Sequence, residues 1–393
     1  MVFKVKRGVI FLNRTKVCSV ACSNYDYQLV KKSLKEVFNT IQVAKLINPG
    51  DVVLLKPNLL SPHQPKKAIT THPVIVEVLI ELLQEQEATV KLGESSGIML
   101  RGSSLTDESF VATGMKEVCD KYQVEMINFD KTSVKESAKG ELTGERFFLP
   151  QPLLEADIII SLPKLKTHNL TLFTGAIKNL YGCIPGFRKA EYHKIYPNPV
   201  DFAELVVDLY HAIKPDLAIM DGVVALEGDG PGSSGDSCKV GTILGSKDLV
   251  ALDAVAASYL GYKSNDVPIT KLANQEGYGQ SQLEKIEVVG SFTPTDREYD
   301  LPSNFLLSIL PSFLLRPLAS RLMLLPEINQ DKCIKCNRCL ENCPKEVIVE
   351  RNNHLEIEYD ECIKCLCCQE LCPEDAVFVK ETFLVKLIKY FFS

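Results

Sequence analysis

Two matching cysteine runs near the end of the chain constrain its fold and chemistry more than any other feature. Both have the spacing C-x-x-C-x-x-C-x-x-x-C-P, one from Cys333 to Pro344 and the other from Cys362 to Pro373. Three thiolates at this spacing can hold three corners of a 4Fe-4S cubane on one tight turn, whereas the fourth cysteine points toward a neighbouring cluster. The two runs therefore predict two clusters, each completed by a cysteine of the other run.

Zinc sites and disulfides are the alternatives for clustered cysteines. Zinc modules use separated cysteine pairs that close a tetrahedron, not triplets with a fourth cysteine before a proline. Disulfide frameworks are typical of small secreted proteins, and residues 1–14 lack the long apolar core and cleavage site of a secretory signal. The runs favour iron–sulfur clusters over both.

The cysteine runs resemble those of the bacterial two-cluster ferredoxin family, over Glu327 to Glu381. The resemblance implies two 4Fe-4S clusters as cofactors and divides eight cysteines into two ligand sets. The first set is Cys333, Cys336, Cys339 and Cys372, and the second is Cys362, Cys365, Cys368 and Cys343. Cys367 remains as a spare thiol.

The acidic surplus of the chain lies around these cysteines. The net charge is −6, and Glu327 to Glu381 contains 13 acidic and 7 basic residues, which leaves 37 of each elsewhere. We therefore expect a redox partner protein with a basic docking face, and we do not expect nucleic acid as a ligand. The 14 cysteines favour a cytoplasmic location, and two exposed clusters would suit an anaerobe.

The rest of the chain alternates between strand and helix patterns. The predicted strands are Val17–Ala21, Asp51–Lys56, Thr89–Leu92, Val124–Phe129, Asp157–Leu162, Leu217–Met220, Val240–Leu244 and Ile286–Val289, and the predicted helices are Tyr27–Ile47, His72–Gln86, Met115–Tyr122, Val200–Ile213 and Leu249–Leu260. This alternation predicts an α/β fold, a mostly parallel sheet with helices on both faces, plus a small C-terminal α+β domain of the bacterial ferredoxin type. The expected divisions are 1–300 for the α/β domain, 301–326 for an apolar linker, 327–381 for the ferredoxin domain and 382–393 for an apolar, basic tail.

Four polar motifs each begin where a predicted strand ends. They are Lys56–Leu59, Gly93–Gly97, Leu162–His168 and Asp221–Gly232. Because the carboxyl ends of parallel strands meet at one edge of a sheet, we expect the four motifs to form one crevice.

Three stretches also resemble a second family, domain of unknown function 362, over Lys16 to Ser291. They are Lys56-Pro-Asn-Leu, Gly93-Glu-Ser and Leu162 to Gly182. Members of that family often end in a ferredoxin module, and the family has no assigned reaction. The resemblance therefore implies an architecture and no catalytic roles.

The densest polar stretch, Leu162 to Gly182, is interpreted as an anion site. A helix beginning near Asn169 would offer free backbone N–H groups to a carboxylate or phosphate, with lysines as counter-charges. We expect a small anionic substrate here, although the lysines could instead be a solvated rim and His168 a structural residue. The candidate catalytic residues are Lys166, His168 as proton donor, and Glu94 as hydrogen-bond acceptor or base. The candidate substrate-binding residues are Lys56, Asn58, Ser95, Lys164, Thr171, Lys178 and Asn179. His193 is interpreted as loop surface.

Three functions are consistent with these motifs. The leading hypothesis is a ferredoxin-type electron-transfer protein whose α/β domain binds a small anion and reduces or oxidises it, as a ferredoxin-linked oxidoreductase would. One alternative is an electron carrier whose large domain only docks a partner enzyme. The other is a hydrolase with Ser95 as nucleophile, since Gly93 to Gly97 matches G-x-S-x-G, although no helix is predicted to follow at once.

Three further stretches carry weaker hypotheses. Gly228 to Gly235 is interpreted as a lid because it lacks the lysine of a phosphate-binding loop. The acidic residues considered for a hard cation are Asp221, Glu227, Asp229 and Asp253. Phe305 to Leu325 is long enough to span a bilayer but contains two prolines and two arginines. Phe383 to Phe392 is too short to span one. We therefore favour packing against the protein over membrane contact for both segments.

Overall fold

The computed structural model of this chain describes residues 15–96, 104–232, 234–303, 305 and 325–380. The predictions for residues 1–14, for most of Phe305–Leu325 and for the tail Phe383–Phe392 lie outside these residues. No helix within the described ranges is long and apolar enough to cross a membrane.

A ten-stranded sheet organises the described part of the larger domain, which we call the α/β domain. The strands of this domain are β1 (Thr15–Ala21), β2 (Val52–Pro57), β3 (Thr89–Glu94), β4 (Glu125–Asn128), β5 (Val134–Lys139), β6 (Arg146–Pro150), β7 (Ile158–Leu162), β8 (Lys164–His168), β9 (Leu172–Thr174), β10 (Leu217–Gly228), β11 (Gly235–Ser246) and β12 (Ile286–Val289). Eight of them follow the order β12-β1-β11-β10-β7-β2-β3-β4. Strand β8 pairs with β10, β9 pairs with β8, and β5 and β6 form a separate hairpin. Neighbours from β10 through β7, β2 and β3 to β4 are parallel, whereas β11 is antiparallel to β1 and β10. The predicted, mostly parallel sheet is confirmed.

Helices cover both faces of this sheet. They are α1 (Tyr27–Thr40), α2 (Pro73–Gln84), α3 (Thr106–Ala112), α4 (Met115–Tyr122), α5 (Gln151–Leu154), α6 (Ala176–Asn179), α7 (Arg188–Ile195), α8 (Pro199–Ile213), α9 (Leu249–Tyr259) and α10 (Pro268–Gln275). Val53 and Leu55 of β2 pack in one core with residues of α1 and α2, whereas Leu54 packs in the other with residues of α8 and α9. Successive side chains of a strand point to opposite faces, so an almost wholly apolar strand is expected where both faces are covered.

Local capping residues fix where several of these helices begin. The side chains of Asp26, Asn198 and Asp248 accept hydrogen bonds from backbone N–H groups in the first turns of α1, α8 and α9. Such caps satisfy N–H groups that have no partner within the helix.

The described C-terminal residues 325–380 form a small α+β unit, which we call the ferredoxin domain. Its elements are β13 (Leu325–Ile328), α11 (Arg338–Glu341), β14 (Ile348–Arg351), β15 (His354–Ile357), α12 (Cys367–Glu370) and β16 (Val377–Lys380). Strand β13 pairs with β16 and β14 with β15, both antiparallel. The two halves have the same local structure, because each cysteine run contains one short helix, α11 in the first run and α12 in the second.

The structure corrects two local predictions. No helix begins near Asn169; β8 and β9 form an antiparallel hairpin in which Lys166 pairs with Thr174, and α6 begins only at Ala176. The stretch Lys164-Leu-Lys-Thr-His alternates polar and apolar residues, a period of two that favours a strand. Asp221, which was expected to follow a strand, lies inside β10, and the stretch expected to be a lid, Gly228 to Gly235, connects β10 and β11.

Candidate functional site

The eight predicted cluster ligands line two separate cavities in the ferredoxin domain. Cavity I has a volume of about 320 Å³, including space open to solvent, and is lined by the first set, Cys333, Cys336, Cys339 and Cys372. Cavity II has a volume of about 350 Å³ on the same measure and is lined by the second set, Cys343, Cys362, Cys365 and Cys368, together with Cys367. The division of the cysteines between the cavities matches the division that the ferredoxin resemblance implies.

The backbone explains how each run wraps a cavity. Lys335 and Asn337 in the first run and Lys364 and Leu366 in the second have positive φ angles, from 56° to 63°. These left-handed residues occupy equivalent positions and curl the chain between successive cysteines. The same local geometry is thus built twice.

The donor set of each cavity fits a 4Fe-4S cubane. All four predicted donors are thiols, and apolar side chains such as Ile328 and Leu355 at cavity I or Ile348 and Ile357 at cavity II complete the walls. Among the described residues, no group of three or more His, Cys, Asp or Glu side chains is arranged to hold a single metal ion. A cubane spreads its ligands over four iron corners, so it does not require such a compact group.

A third cavity lies between the two domains, and we call it the interdomain pocket. Its volume is about 900 Å³, including the space open to solvent. The α/β domain supplies side chains that follow β2 and β3 and others from β8 to α7, whereas the ferredoxin domain supplies Asn342, Cys367, Glu370 and Leu371. Cys367 lines both this pocket and cavity II.

Most of the predicted crevice residues meet in this pocket. Those that line it are Lys56, Asn58, Glu94, Ser95, Lys166, Lys178 and Asn179. Lys164, His168 and Thr171 do not line it. Lys164 forms a buried ion pair with Asp221, with Nζ 2.8 Å from Oδ2, and the hydroxyl of Thr171 donates to the carbonyl of Phe173. These two predicted substrate contacts are therefore structural in the described part of the chain.

His168, the predicted proton donor, lies behind the pocket wall. Its Nδ1 accepts hydrogen bonds from the backbone N–H groups of Leu170 and Thr171 at the hairpin turn. Its Nε2 lies 3.5 Å from Oε1 of Glu370 in the ferredoxin domain. Burial and the nearby ammonium groups of Lys178 and Lys166 lower the pKa of His168 well below its ordinary value, which favours the neutral imidazole.

A buried ion pair joins the ends of β2 and β3 at the pocket. Nζ of Lys56 lies 2.6 Å from Oε2 of Glu94, and both side chains are almost wholly buried. Asn179 bridges this pair to the rest of the wall, since its amide donates to the carbonyl of Lys56 and accepts from Asn58. Burial raises the pKa of Glu94, and the adjacent Lys56 opposes that shift.

A glycine makes room for this pair. A Cβ atom at Gly182 would lie 2.1 Å from Oε1 of Glu94 and 2.8 Å from Nζ of Lys56. Real Cβ atoms essentially never make contacts shorter than about 3.0 Å, so a side chain at this position would displace the pair.

Lys166 and Lys178 supply ammonium groups with no carboxylate within ion-pair distance among the described residues. Nζ of Lys166 donates to the carbonyls of Ile69 and Pro231. Nζ of Lys178 lies 5.9 Å from the ring centroids of both Tyr181 and Phe202. Burial lowers the pKa of Lys166 to about 7, and it also lowers the pKa of Lys178.

The predicted nucleophile Ser95 belongs to a clamp between loops. Its hydroxyl donates to Asp130, a carboxylate that also accepts from Ser104, Thr106 and the backbone N–H of Gly186. Nζ of Lys189 donates to the carbonyls of Ser95 and Ser96 and to the hydroxyl of Ser95. These three bonds use all three ammonium protons, so the geometry does not favour Lys189 as a base for Ser95, although burial lowers its pKa to about 8.

Several pocket residues were not among the predicted site residues, and Thr174 and His193 are two of them. Both line the pocket and are buried, and Oγ1 of Thr174 and Nδ1 of His193 have no hydrogen-bond partner among the described residues. The interpretation of His193 as loop surface is wrong, since it lies in α7 and stacks on Phe202 with ring centroids 4.6 Å apart. The less exposed residues Lys189, Tyr192, His193 and Tyr196 are spaced as on one side of a helix, and this pattern could have placed His193 on a helix.

The acidic residues considered for a cation are dispersed and separately engaged. Asp221 pairs with Lys164, and Asp253 accepts from the backbone N–H groups of Ala176 and Ile177 at the start of α6. Glu227 pairs with Arg297, and Asp229 accepts from Ser303. The hypothesis of a shared cation site is therefore wrong for these residues.

Comparison with known proteins agrees with this architecture. The fold and the cysteine-lined cavities define an α/β protein fused to an iron–sulfur ferredoxin domain. The model of the domain of unknown function DUF362 matches residues 53–258, and that of the 4Fe-4S dicluster domain matches residues 325–373. The chain belongs to the DUF362 family, and its ferredoxin domain gives it an iron–sulfur electron-transfer role.

One relative and two solved structures are similar to the chain. A thylakoid-associated protein of Synechocystis sp. is 33% identical over 239 residues, which cover 60% of this chain and 71% of the relative. The lactate racemase apoprotein of Thermoanaerobacterium thermosaccharolyticum aligns with 14% identity and a TM-score of 0.41, over 63% of this chain and 57% of that one. A protein of Thermotoga maritima aligns with 12% identity and a TM-score of 0.39, over 65% of this chain and 60% of that one.

Proposed function

We propose that this protein exchanges electrons between two 4Fe-4S clusters and a small anionic molecule bound in the interdomain pocket. The observation that carries the proposal is the position of Cys367, which lines both cavity II and the pocket. A cluster held by Cys343, Cys362, Cys365 and Cys368 would then lie on the other side of this residue from the bound molecule. Cavity I, with its exposed Cys336, would face outward.

The charges around the pocket support an anion. Lys56 is balanced by Glu94, and Lys189 lies against the Ser95 clamp with Asp130 behind it. Lys166 and Lys178 have no carboxylate within ion-pair distance among the described residues, and Glu370 is the acidic group that influences the pKa of both. Lysines buried in this way favour the binding of a negative charge that neutralises them.

The side chains of the pocket would position the molecule and move protons. The two clusters, when present, supply or accept one electron each, so a two-electron change in the bound molecule requires both electrons and two protons. Lys166 is a suitable proton donor, because a pKa of about 7 lets the group give and regain a proton near neutrality. Glu94 could take or give the second proton, since its pKa is raised by burial.

The same proposal extends to the setting of the protein. We place the domain divisions at residues 1–300, 301–326, 327–381 and 382–393. We propose a cytoplasmic location in an anaerobe. We also propose that the tail packs against the protein rather than contacting a membrane. The excess of 13 acidic over 7 basic residues from Glu327 to Glu381 supports a redox partner with a basic docking face. We infer that this partner approaches cavity I.

Two measurements on one anaerobic preparation test this function. The small molecules that co-purify with the full chain are identified by mass spectrometry and then added to dithionite-reduced protein with no other protein present. We expect the bleached cluster absorbance to return and the added molecule to change by two electrons. Reoxidation only when a partner enzyme is added would support the electron-carrier alternative instead, and cleavage of the molecule without any change in the clusters would support the hydrolase alternative.

A further inference from the structure

One wall of the interdomain pocket is made of two paired sets of polar side chains. Lys166 and Thr174 are direct cross-strand neighbours in the β8–β9 hairpin. Lys178 and His193 contact the same two rings, Tyr181 and Phe202. We call Lys166, Thr174, Lys178 and His193 the polar wall.

The polar wall has unused hydrogen-bonding capacity in a buried position. Thr174 is 3% exposed and His193 is 6% exposed, and within the part of the chain that the structure describes neither Oγ1 of Thr174 nor Nδ1 of His193 has a hydrogen-bond partner. A buried polar atom without a partner costs about 1–3 kcal/mol, so such atoms are uncommon unless a ligand or water satisfies them. Two of them at one wall, beside two ammonium groups, indicate a ligand with several oxygen acceptors.

The charge balance distinguishes between classes of anion. Two carboxylates of the described residues line the pocket, and Glu94 is already paired with Lys56, so Glu370 is the carboxylate left for the two lysines of the polar wall. With both lysines protonated, the polar wall has one positive charge in excess. Burial lowers the pKa of His193 to about 3, so its imidazole is neutral and adds no charge. A singly charged carboxylate matches this balance, whereas a doubly charged phosphate exceeds it.

Apolar side chains form part of the other walls. Leu59, Leu60, Phe187, Pro231 and Leu371 line the same pocket. Ligand pockets commonly combine such an apolar lining with a few polar groups that fix orientation. The apolar walls would accommodate an aliphatic or aromatic body.

We infer that the interdomain pocket binds a monocarboxylic acid with an apolar body, its carboxylate held by the polar wall. This inference rests on the proposed function, of which it specifies the substrate class. Thr174 is the residue that orients the carboxylate by donating its hydroxyl proton, and the lysines supply the counter-charge.

Calorimetric titration of the full chain, purified anaerobically with its clusters oxidised, tests the inference. The probes are acetate, hexanoate, phenylacetate, hexanol and hexyl phosphate. We expect hexanoate or phenylacetate to bind at least about tenfold more tightly than acetate, which lacks the apolar body, and than hexanol, which lacks the charge. We expect hexyl phosphate to bind more weakly than hexanoate.

A pair of threonine variants separates recognition from folding. Thr174→Val removes a hydroxyl that has no partner, so it should leave the melting temperature unchanged or higher while weakening carboxylate binding about tenfold or more. Thr171→Val is the matched control, because this threonine lies in the same hairpin, donates to Phe173 and does not line the pocket; it should leave carboxylate binding unchanged.

Three results would overturn the inference: no carboxylate gives saturable binding, hexyl phosphate binds more tightly than every carboxylate, or Thr174→Val binds carboxylates as well as the wild type. Carboxylate binding without reoxidation of reduced clusters by any bound acid would leave this inference standing and contradict the proposed function. Reoxidation of the clusters by a co-purified molecule that is not a carboxylate would support the proposed function and contradict this inference.

Discussion

Lys56 and Glu94 form an ion pair of 2.6 Å in which both side chains are almost completely removed from solvent. The two residues end neighbouring parallel strands, β2 and β3, so the sheet itself brings them together. Glu94 also accepts hydrogen bonds from the backbone N–H groups of Leu59 and Ser95. The pair thus fixes the loops that begin the interdomain pocket.

Removing one member of this pair should destabilise the α/β domain strongly. Lys56→Met leaves the Glu94 carboxylate buried without its ammonium, and loss of one partner of a buried pair costs about 3–5 kcal/mol. In a double-mutant cycle with Glu94→Gln, we expect a coupling free energy of about 2–3 kcal/mol from urea unfolding followed by circular dichroism.

The exposed pair Lys116 and Asp120 is the matched control, because its atoms are also 2.6 Å apart but its side chains are 49% and 61% exposed. Its coupling should be about 0.5 kcal/mol or less. Equal coupling energies in the two cycles would contradict the importance assigned to burial.

The cysteine assignment predicts different outcomes for two residues that are close in sequence. Cys365→Ser removes a ligand of cavity II, so the iron content should fall from about eight to about four atoms per chain. Cys367→Ser should retain about eight, because Cys367 is the spare thiol of its run. Iron analysis and absorbance of anaerobically purified protein measure both, and a larger loss of iron from Cys367→Ser than from Cys365→Ser would refute the ligand sets.

The buried ammonium of Lys166 predicts how stability depends on pH. Its pKa is about 7 in the folded protein, below the ordinary value of 10.5. Between these two values the unfolded chain binds the additional proton, so this group makes stability rise with pH by up to about 1.4 kcal/mol per unit. The contribution is lost as the pH falls toward 7.

Urea midpoints at pH 7.5 and 9.5 test this dependence. The urea midpoint of Lys166→Met should rise less between the two pH values than that of the wild type. Lys116→Met, which changes a half-exposed lysine, should keep the wild-type rise. If all three proteins respond equally to pH, the lowered pKa of Lys166 is wrong.

Much of the fold could be predicted from the sequence because its signals are local. Strand Ile158–Leu162 is a continuous apolar run, and helix Pro199–Ile213 has an Asn–Pro start and a regular apolar spacing. The ferredoxin domain was predicted from the cysteine spacing and from the resemblance that this spacing carries to the two-cluster ferredoxin family, since ligand geometry constrains the sequence directly.

The pocket was harder to predict because distant parts of the chain form it. Lys56, Asn179 and Cys367 line one cavity although more than 300 residues separate the first from the last. Sequence spacing placed the lysines at one sheet edge, but it carried no information about the ferredoxin domain covering that edge. The hairpin at Asn169 was predicted as a helix because its turn residues are also common at helix starts.

The central claim is that a cluster in cavity II lies beside the ligand in the interdomain pocket. Electron paramagnetic resonance of the dithionite-reduced full chain, recorded with and without the co-purifying molecule under conditions that prevent turnover, tests this most directly. We predict that the molecule shifts the signal that disappears in Cys365→Ser and leaves the other cluster signal unchanged. Spectra that are identical with and without the bound molecule, or a shift confined to the signal that persists in Cys365→Ser, would contradict the claim.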